Sequence, residues 1–158
     1  MALDVILHLR ERLQLFREVA RTLANGRRFL CTDAGVVTGS ISDQEVVERS
    51  IHGFTRFVGP GFNEQMLGSA GFRLLETEDR TTSVLKNATG RMAAMFTHKA
   101  ELEALKGVDD FLRQQRYLET VGELSRRGAV SRIMYLAEMR PSRPNPAHNR
   151  TPRRRVAG

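Results

Sequence analysis

Short unbroken apolar runs alternate along this chain with stretches in which apolar residues return every three or four positions. The first run, Val5-Ile6-Leu7 within residues 4–9, suits a strand buried on both faces, although periodicity alone does not exclude a helix. Leu9, Leu13, Phe16, Ala20 and Leu23 then recur at helical spacing, while Arg12, Gln14, Arg17, Glu18 and Arg21 fall mainly elsewhere. This predicts an amphipathic helix over residues 10–23 with Arg12 on its surface, stopped by the left-handed propensity of Asn25-Gly26. Phe29-Leu30-Cys31-Thr32 predicts a second buried strand, ended by a turn at Asp33-Ala34-Gly35. Strand, helix and strand in so short a span form a βαβ unit, whose two strands are expected to be parallel neighbours.

Ser42 with Glu45 three residues on predicts a capping box. Val46, Val47, Ser50, Ile51, Phe54 and Phe57 give the helix it opens, residues 42–57, a broad apolar stripe that Gly59-Pro60-Gly61 terminates. A short helix over residues 63–70 ends at Gly71, and residues 72–78 read as a third strand. Two long helices follow, at 82–105 and 109–127, separated by Gly107; Asp109 or Asp110 is the expected cap of the second and Gly128 its stop. Residues 131–138 form the last strand, with Tyr135 a packing residue. The expectation is an α/β fold of about four strands, two of them parallel.

Composition narrows this picture. A chain of 158 residues, 41% hydrophobic and 27% charged, suits one domain with a real core. No apolar run is long enough to span a bilayer, and Met1-Ala2-Leu3-Asp4 does not read as a secretory signal, which points to a cytoplasmic protein with no membrane partner. The lone Cys31 sits in an apolar run and reads as an inert buried thiol. The net charge of +7 suggests nucleic acid until it is located: six arginines and no acid lie between Arg140 and Gly158, and without them 19 basic residues face 18 acidic ones. That segment also holds four of the five prolines, so residues 1–139 are read as the folded part and 140–158 as a disordered tail. Such a tail is compatible with non-specific RNA contact or with no specific partner at all.

Three blocks carry a family resemblance. D-V-I-L-H-L-R-E-R-L…F-R-E-V-A-R-T-L-A-N-G-R-R-F-L-C-T-D (residues 4–33) resembles the fourth strand, following helix and fifth strand of class I S-adenosylmethionine-dependent methyltransferases. N-E-Q-M-L-G-S-A-G-F-R-L-L-E-T-E-D-R-T (residues 63–81) is similar to the helix that leads into their sixth strand. L-S-R-R-G-A-V-S-R-I-M-Y-L-A-E (residues 124–138) looks like their closing antiparallel strand. In order and spacing the blocks match the small-molecule branch. Asn25-Gly26-Arg27 stands where that family usually has Pro-Gly-Gly, and the turn chemistry survives the change. The resemblance implies the C-terminal half of a Rossmann-like sheet with inserted helices. The glycine-rich loop and the ribose-binding acid of the family's N-terminal half have no counterpart here. Gly35 and Gly39 follow a later strand and do not supply that loop.

By this resemblance the chain moves a methyl group from S-adenosylmethionine to a small-molecule acceptor, with weak cofactor binding and low activity expected of these residues alone. The loop after the first strand faces the acceptor in the family, which makes His8 the candidate catalytic residue: its imidazole can position a nucleophile or take its proton, or simply be hydrogen-bonded at a strand end. Asp33, at the carboxyl end of the next strand, is a candidate ligand for an amine or hydroxyl, or satisfies donors of its own turn. His52, Phe54 and Phe57 are candidates for lining an acceptor cavity from the inserted helix, or for packing in the core. No metal-ligand spacing is present, and His98 and His148 are isolated. The expected partners are the small acceptor and either a complementing N-terminal half or a second copy, through an unpaired apolar edge at Val5-Ile6-Leu7. The competing readings are a non-catalytic remnant or interaction module, and a nucleic-acid binder acting through the basic tail.

Overall fold

A four-stranded sheet in the order β1-β2-β4-β3 organises the chain, seen here in a computed structural model that describes residues 1–141. The expectation of a disordered 140–158 segment falls almost wholly outside the described residues. β1 (Ala2–Leu3) pairs parallel with β2 (Arg28–Val37), and β4 (Val130–Met139) runs antiparallel between β2 and β3 (Phe72–Asp79). The parallel start and the antiparallel last strand are those the sequence pattern and the resemblance led us to expect. β2 is buried along nearly its whole length, as a central strand covered on both faces must be. β3 is an edge, blunted by Arg73, Glu76, Glu78 and Asp79 and by an irregularity between Leu74 and Glu76.

Helices α1 (Arg12–Thr22) and α3 (Phe62–Ser69) contribute to the main core, where Ile6, Phe16, Phe29, Cys31, Leu67, Phe72, Tyr135 and Ala137 pack together. Phe29 stands at its centre, 6.2 Å from the Phe16 ring and 5.8 Å from Phe72. Helices α4 (Thr81–Thr97), α5 (Lys99–Lys106) and α6 (Val108–Arg126) build a second layer, with Ala88, Leu118 and Val121 at the α4–α6 seam.

Several local expectations are corrected. The first strand lies two residues earlier than predicted: Asp4 adopts φ +50°, a left-handed conformation that short polar side chains tolerate, and ends the strand. The run after it winds into a single 3-10 turn, Ile6–His8, in which Ile6 and Leu7 are buried, so Val5-Ile6-Leu7 is not a free strand edge. β2 does not turn at Asp33. It bulges, with Asp33 Oδ1 accepting the Gly35 amide at 2.8 Å, and continues to Val37.

The capping box at Ser42 and Glu45 is present, but its helix, α2, covers only Asp43–Arg49. Ser50 turns its hydroxyl back to the Val46 carbonyl, and Gly53 at φ +116° lets the chain reverse. The residues beyond run extended against the body, Arg56 N donating to Leu7 O at 2.7 Å and Val58 N to Gly35 O at 3.1 Å. Finally, the predicted 82–105 helix breaks at His98, beside Thr97, whose hydroxyl bonds back to the Ala93 carbonyl. Gly107, not Asp109 or Asp110, caps α6; the two aspartates occupy its first turn, where they complement the helix dipole.

Candidate functional site

Beyond the carboxyl end of β1, between the sheet and the α4/α6 layer, lies a cavity of about 320 Å³ lined by Asp4, His8, Arg49, His52, Asn87, Arg91, Tyr117 and Arg132 among others. Ligands of open α/β sheets bind at this edge. Each wall has a local cause. Asp4, strained at its left-handed φ, is pinned by its amide and carboxylate to Thr32 Oγ1 (2.9 and 2.7 Å) and ion-pairs with Arg132 at 2.9 Å. The 3-10 turn that follows presents His8. The short α2 ends in Arg49, which reaches inward to Ala34 O and Tyr117 Oη, both at 3.1 Å.

His8 Nδ1 lies 2.8 Å from the Phe54 carbonyl oxygen. A carbonyl only accepts, so Nδ1 carries the proton and a neutral imidazole keeps its lone pair on Nε2. His52 lines the cavity too, its ring edge-on to Tyr117 at 4.7 Å. Desolvation by burial lowers its pKa, reinforced by Arg91, Arg49, Arg113 and His8. A second cavity of about 590 Å³ within the helical layer shares His52 and Arg91 and adds Ile51, Met95, Leu102 and Phe111.

Of the residues singled out from sequence, the structure brings His8 and His52 into one cavity and takes the others elsewhere. Asp33 is fully buried on the opposite side of β2, toward α1 and α3. Its Oδ2 accepts Arg12 Nη1 at 2.6 Å and Asn63 Nδ2 at 2.8 Å, and Asn63 also reaches Tyr135 Oη at 3.3 Å. Arg12, expected on the surface, is therefore buried, because Asp33 neutralises it and the carbonyls of Asn63 and Arg56 take further donors at 2.8 and 2.6 Å. Phe54 is exposed beneath the Arg10 guanidinium (4.5 Å), and Phe57 packs on Leu124, Ala129 and Val130; neither lines the cavity.

Cys31 is buried, and burial with the nearby Asp33 pushes its thiol up to about 12, so it is inert. Sequence reasoning missed Asp4, Arg49, Arg91, Tyr117 and Arg132. Asp4 opens the quoted D-V-I-L-H-L block, so a signal for it existed; the arginines are lost among the many charges of their helices and strand. No group of His, Cys, Asp and Glu able to hold a metal occurs among the described residues.

No known family profile matches the sequence, and no curated protein does. Solved structures do match. A candidate sarcosine dimethylglycine methyltransferase from Galdieria sulphuraria superposes with a TM-score of 0.76 at 20% identity, over 89% of this chain and 52% of that one. A Haemonchus contortus phosphoethanolamine N-methyltransferase, bound to phosphomonomethylethanolamine and S-adenosylhomocysteine, gives 0.74 at 18% identity, over 89% and 32%. A Mycobacterium tuberculosis cyclopropane synthase gives 0.77 at 14% identity, over 86% and 53%. The chain spans from about a third to about half the length of these neighbours.

Proposed function

We propose that this chain, whose fold is that of the trailing half of class I S-adenosylmethionine-dependent methyltransferases, forms the acceptor-facing side of such an enzyme acting on a small molecule. The observation that carries this reading is the cavity beyond β1, with His8 Nε2 available beside it in a sheet of that topology. The neighbours that contain S-adenosylmethionine or its demethylated product support the choice of cofactor.

The cofactor itself does not fit the cavity. Arg49, Arg91 and Arg132 line it against one carboxylate, Asp4, which Arg132 already engages. That wall repels a sulfonium cation and offers no free acid to a ribose diol. The methyl donor then sits outside it, across the open edge of β1, where Met1 and Leu3 are exposed. The same apolar edge supports docking of a leading half-domain, or of a second copy, as the partner.

Within the cavity the residues act on the acceptor alone. Tyr117 and Leu118 from α6 and Val84 and Ala88 from α4 wall off water on one side. The Phe54 carbonyl holds the His8 tautomer, so Nε2 takes or shares the proton that a nucleophilic hydroxyl or amine loses as it is methylated. Methyl donation is the chemistry the bound cofactor supplies. Among the described residues no helix is long and apolar enough to cross a membrane.

The test is transfer of a labelled methyl group to a panel of small acceptors, by this chain supplemented with a leading half-domain that provides the first three strands of the fold. The proposal predicts product that disappears with His8→Ala. Absence of transfer to every acceptor, from a mixture that binds the cofactor, refutes it.

A further inference from the structure

We infer that the cavity beside His8 is selective for an acceptor bearing an oxyanion, held by Arg49 and Arg91; this rests on the acceptor-side reading proposed above. Two deeply buried guanidinium groups occur among the described residues, and they are treated differently. Arg12, 1% exposed, has the Asp33 carboxylate at 2.6 Å. Arg49, 8% exposed, has a carbonyl and the Tyr117 hydroxyl as hydrogen-bond partners and lies over the Tyr117 ring at 5.5 Å, with no carboxylate within 4.0 Å among the described residues. A neutral oxygen satisfies a donor without cancelling a charge, and a cation withdrawn from water needs an anion. Here the place for that anion is an open cavity.

Arg91 reaches the same cavity from α4, where it is exposed and makes no ion pair among the described residues. Arg132 differs, since Asp4 holds it in a two-contact pair at 3.0 and 2.9 Å. Arg49 is thus buried without a carboxylate among the described residues, and the exposed Arg91 adds a second guanidinium to the same wall. The depressed affinity of His52 for protons records the same field, because Arg91 and Arg49 follow burial among its causes. A planar guanidinium matches carboxylate and phosphate oxygens in pairs, so the ligand chemistry is a carboxylate or a phosphate monoester. A cavity of about 320 Å³ is sized for a small molecule. It also contains His8, so the oxyanion and the methylated atom belong to one acceptor.

The experiment is an NMR titration of the His52 and His8 ring protons in the full chain, without methyl donor. Inorganic phosphate and acetate are added in separate arms, with sodium chloride at matched ionic strength as control. We expect a saturable displacement of the His52 signals by one or both oxyanions, with a rise in the pH at which His52 titrates and no such change in chloride. Arg91→Ala, an exposed position, should weaken binding by roughly tenfold or more, and Arg49→Gln at least as much. Should Arg49→Gln fail to fold, Arg91→Ala decides the matter alone.

Equal responses to oxyanion and chloride, or unchanged affinity in Arg91→Ala, overturn the inference. Because no donor is present, oxyanion binding without methyl transfer leaves it standing while the methyltransferase proposal falls. Methyl transfer to a neutral acceptor, with no oxyanion binding, does the reverse.

Discussion

Removing the Asp33 carboxylate strands a guanidinium in the core. In the native chain both side chains of the Arg12–Asp33 pair are fully withdrawn from solvent, 2.6 Å apart. Asp33→Ala leaves Arg12 with the Asn63 and Arg56 oxygens at 2.8 and 2.6 Å, neither of which carries a full negative charge. It also frees the Gly35 amide and one Asn63 donor. Breaking a buried pair from one side costs about 3–5 kcal/mol. Domains of this size are stable by about 5–15 kcal/mol, so the loss is a large share of the total. With a urea m-value of about 2 kcal/mol/M, the unfolding midpoint should fall by roughly 1.5–2.5 M.

Asp33→Ala paired with Arg12→Met removes both charges and should recover part of that loss, giving a coupling of about 1–3 kcal/mol in a double-mutant cycle. A midpoint shift below about 0.5 M for Asp33→Ala, or strictly additive effects in the cycle, would refute the idea that the pair is a sealed charge compensation.

His8→Ala should lower methyl transfer by a factor of roughly 100 to 10,000. Because His8 is exposed, its denaturation midpoint should barely move; an unchanged rate removes it from the chemistry. Ser42→Ala should cost about 1 kcal/mol through the loss of the α2 cap, read by thermal melts. The Glu45 carboxyl, lowered to about 2 first by the Ser42 amide and then by Arg127, keeps its part of that cap present above the usual carboxylate range. That part should decline progressively as pH falls below about 4.5 and be gone near about 2; a Glu45→Gln effect that vanishes already near pH 4 contradicts this. His52 has the opposite chemistry and the same direction. Its folded pKa lies below the unfolded value, so the unfolded chain binds more protons and stability declines as pH drops below about 6.5. His52→Gln should flatten that decline, and an unaltered pH profile would rule His52 out as its source. Native Cys31 should resist alkylation at pH 8 until the chain is unfolded, as a mass shift under native conditions would disprove.

β2 and α1 were legible from sequence because they depend on local patterning: the buried Phe29–Thr32 run, the helical recurrence of Leu13, Phe16 and Ala20, and the turn at Asn25-Gly26 between them. The ordered set of three blocks fixed the topology that periodicity left open. What escaped was decided by tertiary partners. Arg12 reads as a surface charge until Asp33, 21 residues away, is brought against it. Val5-Ile6-Leu7 is equally apolar as a strand or a 3-10 turn, and the left-handed Asp4, tied to Thr32 and Arg132, selects the turn. Phe54 and Phe57 continue the stripe of α2 on paper, yet backbone pairing of Arg56 and Val58 with Leu7 and Gly35 draws them off the helix. His8 was visible through its place in D-V-I-L-H-L. Arg49 and Arg91 were not, since only the fold brings these two, 42 residues apart, to the wall of one cavity.

Calorimetric titration with S-adenosylmethionine puts the division of labour to its sharpest test, run on this chain alone and on the chain mixed with a leading half-domain. An acceptor-side wall rich in arginine predicts no saturable heat in the first case and binding of micromolar order in the second. Micromolar binding to the chain by itself, or none to the mixture, contradicts the account.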